Sequence, residues 1–294
     1  MSRPDWLSKG IALILLLALG GCGAAGTVRP PATDVPTALP TPIPTVTAAP
    51  TATATSNGLA EQLKVQVVAV YPHDTSAFTE GLVYDGEHLY ESSGQYGQST
   101  LREVDLATGK VLKSTPLDPA YFGEGLALVG DQLIQLTWRE KTALIYDKAS
   151  FAPRGRLSYT GEGWGLCYDG QRLYMSDGSG LIAIRTAETF LLDGTISVKL
   201  DGQAVELLNE LECVGDTLYA NVWHTDHIMR IDKATGQVTG DIDASGLLTP
   251  EERAAAGQEG VLNGIAYYPA HDDFLITGKL WPKLFEVRFV AAGP

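Results

Sequence analysis

The chain has 294 residues and a formal net charge of −14, with 21 Lys and Arg against 35 Asp and Glu. That balance excludes a basic face for nucleic acid or anionic lipid. No Gly-rich phosphate loop opens a helical pattern, which excludes a nucleotide site of the Walker or dinucleotide kind.

At the N-terminus Arg3 and Lys9 flank an apolar run, Ile11 to Leu19, that is short for a membrane span. The run ends in Leu19-Gly20-Gly21-Cys22, which resembles the bacterial lipoprotein signal, where the cysteine is lipidated and becomes the first mature residue. Residues 1–22 are therefore expected to be a signal peptide, and Cys22 to anchor an exported protein at the outer face of the bacterial cell membrane. From Gly23 the chain is nearly all Ala, Thr, Pro, Gly and Val. Such a composition buries too little apolar surface to offset the entropy of ordering, so 23–60 is expected to be a tether and 61–294 the folded, catalytic domain.

The domain opens with an expected strand, Leu63 to Tyr71, and then repeats itself. FTEGLVYDGEHLYESSG (Phe78 to Gly94) is echoed by FGEGLALVGDQLIQLTW (Phe122 to Trp138), EGWGLCYDGQRLYMSDG (Glu162 to Gly178), LNELECVGDTLYANVW (Leu208 to Trp223) and LNGIAYYPAHDDFLITGK (Leu262 to Lys279). Each reads as a β-hairpin: an apolar strand, a turn rich in Asp and Gly, a second apolar strand. Anchored on Gly81, Gly125, Gly165, Glu210 and Gly264, the spacings are 44, 40, 45 and 54 residues. A period in the forties made of strands predicts an all-β, five-bladed β-propeller. The long last period is explained by a helical insertion near 249–257, with Thr249 as N-cap, Pro250 at N1 and Gly257 closing it. The terminal strand, Leu284 to Phe289, is expected to pair with the first one and close the ring. Cys167 and Cys213 fall in the first strands of neighbouring repeats; they are expected as two buried free thiols rather than a bridge.

Equivalent inner-strand positions of a propeller ring one channel. The residues just before the anchors are Glu80, Glu124, Trp164, Asn209 and Asn263, and near the ends of the second strands Trp138, Trp223 and Lys279 line up. Carboxylates, carboxamides, tryptophans and a lysine at one mouth predict a pocket rather than a purely structural core. The five histidines show no metal-ligand spacing.

The phrases FGEGL (122–126), GEGWGLCYDG (161–170), LNELE (208–212), NVW (221–223) and TGK with WPKLFEV (277–287) together resemble the plant and bacterial propeller type of glutaminyl-peptide cyclotransferase, over about Val65 to Phe289. The resemblance implies conversion of N-terminal glutamine of peptides to pyroglutamate with release of ammonia, without a catalytic metal; a structural calcium in the channel is left open. It implies Glu124 as the acid/base, Asn209 as a substrate-binding asparagine, Lys279 as a pocket lysine, Trp138, Trp164 and Trp223 as pocket tryptophans, and Phe78 and Phe122 at the wall; the chemistry adds a catalytic role for Lys279 and Asn209, as donors to the oxyanion of the tetrahedral intermediate. Glu80 stands where family members commonly carry Gln, and an extra carboxylate there is expected to alter the pH optimum. Asn263 is added to the substrate-binding set by its repeat position. The partners implied are peptides with N-terminal glutamine, for a monomer that touches the membrane only through its anchor. Two rivals are carried: a calcium-dependent lactonase-like propeller, since Glu80, Glu124, Asn209 and Asn263 offer oxygen ligands for a hard cation, and a non-catalytic binding propeller.

Overall fold

The computed structural model describes residues 59–293. The signal peptide, Cys22 and nearly all of the tether expected from the sequence lie outside these residues. β1 (Glu61–Pro72) is followed by a first four-stranded sheet, β2 (Thr79–Tyr84), β3 (Leu89–Ser93), β4 (Thr100–Val104) and β5 (Val111–Pro116). β6 (Gly123–Val129), β7 (Gln132–Thr137), β8 (Thr142–Asp147) and β9 (Pro153–Ser158) make the second. β10 (Leu166–Tyr168), β11 (Arg172–Met175), β12 (Leu181–Thr186) and β13 (Leu192–Ser197) make the third. After a small hairpin, β14 (Lys199–Leu200) and β15 (Gln203–Ala204), come β16 (Leu208–Val214), β17 (Thr217–Val222), β18 (His227–Asp232) and β19 (Val238–Asp243). Helix α1 (Pro250–Ala256) precedes β20 (Leu262–Tyr268), β21 (Asp273–Gly278) and β22 (Lys283–Ala291). These last two groups form one eight-stranded sheet in the order β16-β17-β18-β19-β1-β22-β21-β20.

All five expected hairpins are present, and the fold is all-β and propeller-like. The first strands β2, β6, β10, β16 and β20 contact one another in a closed cycle. Burial fades outward: β2 and β6 begin fully buried, while β5 and β9 are mostly exposed. The core is therefore divided among the interfaces between sheets. One cluster joins Leu166 and Leu173 to Ile134 and Leu136; another joins Leu82 and Leu89 to Ala266 and Leu275.

The anchors Gly81, Gly125 and Gly165 are explained by close approach of neighbouring first strands, and Gly264 by its φ of 126°. A Cβ on Gly125 would lie 2.5 Å from Leu166 N, and one on Gly165 would lie 2.1 Å from Asn209 O, so no larger residue fits there. At the fourth anchor Glu210 instead reaches across, accepting from Leu82 N at 3.3 Å and Ile265 N at 2.8 Å, and so ties β16 to β2 and β20.

The same crowding corrects the reading of the cysteines. Cys167 and Cys213 form a disulfide, with Cα atoms 5.6 Å apart. Because β10 and β16 meet nearly backbone to backbone at Gly165, side chains two or three residues further along come within bonding reach. The terminal strand does pair with the first: β22 runs antiparallel to β1 from Leu63↔Ala291 to Pro72↔Lys283, and β1 also joins β19 in parallel over Glu61–Lys64. Thr249 caps α1 in a capping box with Glu252, and Gly257 ends it at φ 74°.

Candidate active site

Four of the five residues before the anchors sit in strand irregularities. The β2/β3 register shifts between Thr79 and Gly81, β6/β7 between Gly123 and Leu126, β16/β17 between Leu208 and Leu211, and β20/β21 between Leu262 and Ile265. A bulge leaves one residue unpaired and re-aims its side chain, which is how Glu80, Glu124, Asn209 and Asn263 turn away from the sheets. Trp164 lies on the approach to β10, where its N–H donates to Ser176 O at 3.1 Å. The second set is equivalent in a different sense. Trp138 N donates to Phe122 O (3.0 Å), Trp223 N to Leu207 O (2.8 Å) and Lys279 N to Val261 O (2.9 Å), each closing the mouth of its hairpin. In the first hairpin Gly94 makes that bond, to Phe78 O, and a Cβ there would lie 2.4 Å from the Phe122 ring.

These residues surround a cavity of about 210 Å³ lined by Phe78, Glu80, Phe122, Glu124, Trp138, Trp164, Asn209, Trp223, Glu259 and Lys279. Every pocket residue expected from the sequence lines it except Asn263. Asn263 is buried behind Glu80, donating from Nδ2 to Glu80 Oε2 at 3.1 Å and to Thr79 O at 2.9 Å. It positions the carboxylate rather than the ligand.

Glu80 is 1 % exposed and receives Lys279 Nζ at 2.6 Å on its other oxygen. Burial raises its pKa; the Lys279 ammonium and a hydrogen bond from Glu124 oppose the rise. Glu124 is pushed well above the ordinary carboxylate range, first by burial and then by the charge of Glu80. Both carboxyls are thus harder to ionise than in water, and Glu124 the more so, because Glu80 is the one that receives the Lys279 ammonium. Lys279 also stands 4.6 Å above the Phe78 ring. The walls are aromatic: Phe78 meets Phe122 edge-on at 6.1 Å, Phe122 meets Trp138 at 5.6 Å, and Trp164 meets Trp223 at 5.4 Å.

Two polar atoms in the lining are buried without a partner among the described residues, Asn209 Oδ1 and Trp223 Nε1. An acceptor and a donor left open in one cavity suit a ligand that offers both. The sequence reading missed Glu162 and Glu259. Glu162 Oε2 accepts from Trp138 Nε1 at 2.7 Å and Trp164 Nε1 at 3.1 Å, and its other oxygen accepts from Arg139 Nε at 3.2 Å. Its place two residues before Trp164 was a usable signal; Glu259 lies in the insertion, outside every repeat.

Of the oxygen ligands of the lactonase-like reading, Glu80 already receives the Lys279 ammonium, which a cation there would have to displace, whereas Asn209 Oδ1 and Asn263 Oδ1 have no partner among the described residues. Elsewhere His271, Asp273 and Glu286 bring ligand atoms within 4.8 Å of one another. Their carboxylates are held by Arg288 (2.7 and 3.1 Å, to Asp273) and by Tyr71 (2.7 Å, to Glu286), so this group reads as an ion-pair network.

The chain is similar to known proteins over most of its length. The family described as glutamine cyclotransferase matches residues 42–289. A glutaminyl-peptide cyclotransferase of Arabidopsis thaliana is 39 % identical over 231 residues, 78 % of this chain and 72 % of that protein. The crystal structure of Myxococcus xanthus glutaminyl cyclase superposes with a TM-score of 0.73 at 42 % identity, covering 80 % of this chain and 100 % of that one.

Proposed function

The chain belongs to the glutamine cyclotransferase family, and from that premise we propose that it is a glutaminyl-peptide cyclotransferase, an acyltransferase that closes N-terminal glutamine of peptides to pyroglutamate and releases ammonia. The observation that carries this is Glu124, buried beside the Glu80–Lys279 pair at an aromatic-walled cavity in whose lining Asn209 Oδ1 and Trp223 Nε1 have no partner among the described residues.

The attacking amine and the γ-carboxamide belong to one residue, so proximity is intrinsic and the enzyme supplies proton transfer and charge stabilisation. As the new C–N bond forms, the attacking nitrogen must lose a proton; as the old C–N bond breaks, the departing nitrogen must gain one. A single carboxyl that gives one proton and takes the other returns unchanged, and Glu124 has the proton affinity for it. Asn209 Oδ1 is free to accept a substrate N–H. Lys279, and with it the Asn209 carboxamide and the Trp223 indole, face the oxygen on which charge develops, a kind of contact worth roughly 3–4 kcal/mol per donor in other enzymes. Phe78, Phe122 and the tryptophans exclude water, which would otherwise yield glutamate.

The same reading makes the eight-stranded sheet two four-stranded blades joined by β1, giving five blades in all. It needs no metal for the chemistry, and a chelator should leave the rate in place. It puts the enzyme at the outer membrane face through Cys22, acting as a monomer; Cys22→Ser should release it from the membrane fraction. Activity is tested by incubating the chain with a Gln-initiated peptide: ammonia release appears as a mass loss of about 17 Da, the leaving group that Glu124 protonates. Unchanged mass under all conditions would overturn the assignment.

A further inference from the structure

The insertion that lengthens the last repeat is held in place from both ends. On the helix, Glu252 closes the capping box with Thr249 (3.0 and 3.2 Å) and receives Lys283 Nζ at 2.6 Å. Arg253 Nη2 donates to both oxygens of Asp226 at 3.0 Å. The loop after it is pinned to the active-site strand: Gly260 O accepts from Trp281 Nε1 at 2.8 Å, and Val261 O accepts from Lys279 N at 2.9 Å. Glu259 rides on this loop, solvent-exposed yet lining the cavity.

The other charges of the lining are spoken for. Lys279 is paired with Glu80, and Glu124 is buried with that pair in the lining. Glu259 is the exposed carboxylate of the lining, and it makes no hydrogen bond or ion pair among the described residues. Two further carboxylates bond residues of the lining, Glu162 through the Trp138 and Trp164 indoles and Glu140 through Phe122 N, and Arg139, paired with Glu162 and turned onto the Trp138 face at 3.6 Å, offsets one of them.

Cyclisation uses only the amine and side chain of the first residue, so the second must pass out through this mouth. We propose that Glu259 makes the enzyme select peptides carrying Lys or Arg immediately after the N-terminal glutamine, and disfavour Asp or Glu there. The proposal rests on the cyclotransferase reading. An exposed ion pair in open water is weak, but a cleft with low-dielectric aromatic walls focuses the field of its charges, and like charge is penalised. The preorganised loop also spares the entropy of fixing the carboxylate.

The test compares kcat/KM for Gln-Lys, Gln-Ala and Gln-Asp peptide amides in the wild type, Glu259→Gln and Glu259→Lys. The Gln-Lys to Gln-Asp ratio is expected to be about 10 in the wild type, to fall roughly 3–5-fold in Glu259→Gln, and to invert in Glu259→Lys. Between about 50 mM and 500 mM salt the wild-type ratio should shrink toward 1, and the inverted ratio of Glu259→Lys should rise toward 1, as screening requires. An identical ratio in all three proteins overturns the proposal. So does an equal loss on all three peptides, which would assign Glu259 to the α-ammonium instead. A wild type inactive on every Gln peptide overturns the cyclotransferase reading itself; an active one with a Glu259-independent ratio overturns this inference alone.

Discussion

Glu124 and Glu80 are buried in one lining, each with its pKa raised, and their substitutions should separate their roles. Glu124→Gln keeps size and hydrogen-bonding reach but cannot shuttle a proton, so kcat should fall by about 10²–10⁴-fold with KM little changed. Glu80→Gln should remain active, because an amide oxygen still accepts from Lys279. It removes the negative charge that raises Glu124, so Glu124 ionises at lower pH and the limb of the kcat/KM profile that it governs moves acidward. An inactive Glu80→Gln beside an active Glu124→Gln would exchange the assignments. Glu162 acts through its neighbours. Burial would raise its pKa, but the Trp164 and Trp138 indoles and Arg139 outweigh burial and hold the carboxyl below its ordinary value. Glu162→Ala leaves two indole N–H groups without their acceptor, and KM should rise roughly 10-fold. Glu162→Gln, which can still offer an oxygen to the indoles, should recover most of that loss. A drop in melting temperature without a change in KM would make the residue merely structural.

At the scale of elements, the bulges and the disulfide are two outcomes of the same close approach of first strands. The bulges turn Glu80, Glu124, Asn209 and Asn263 off the sheet faces, and the crowding at Gly165 sets Cys167 against Cys213. The bridge spans 46 residues and joins two sheets. Loop-closure entropy for that span corresponds to about 4 kcal/mol, which for a domain of this size is roughly 10 °C in Tm. Thermal melts of the wild type with and without reductant, against Cys167→Ser, should show that loss in the reduced and mutant proteins alike. Equal melting of all three would mean that the sulfurs contribute nothing. The insertion is the other informative element. Its capping signals were readable in Thr249, Pro250 and Gly257, whereas its consequence, the delivery of Glu259 to the mouth, depends on Trp281 and Lys279 holding the following loop.

For the molecule as a whole, closure concentrates buried carboxyls at the centre. Glu210 is raised well above its ordinary pKa by burial and then by Glu212, and Glu212 is pushed by burial from 4.5 to about 8. The sign follows from proton counting. Between the unfolded and folded values the native state binds more protons than the unfolded chain, so stability is fullest below about pH 4.5 as far as these groups decide it, and declines as pH rises toward about 8. Melting temperatures across that window should fall for the wild type and fall less steeply for Glu212→Gln, which keeps an acceptor for the Tyr267 N–H; parallel curves would remove Glu212 from the account. The repeated hairpins, the shared register that brings Glu80, Glu124, Trp164 and Asn209 to one cavity, the capped helix and the pairing of the last strand with the first were all legible in the sequence. They are local or periodic properties, set by apolar alternation, turn residues and spacing. The disulfide, the hold of Glu162 on two indoles, the retreat of Asn263 behind Glu80 and the arrival of Glu259 were decided by the tertiary structure alone, because each depends on distances between sheets that no single repeat encodes.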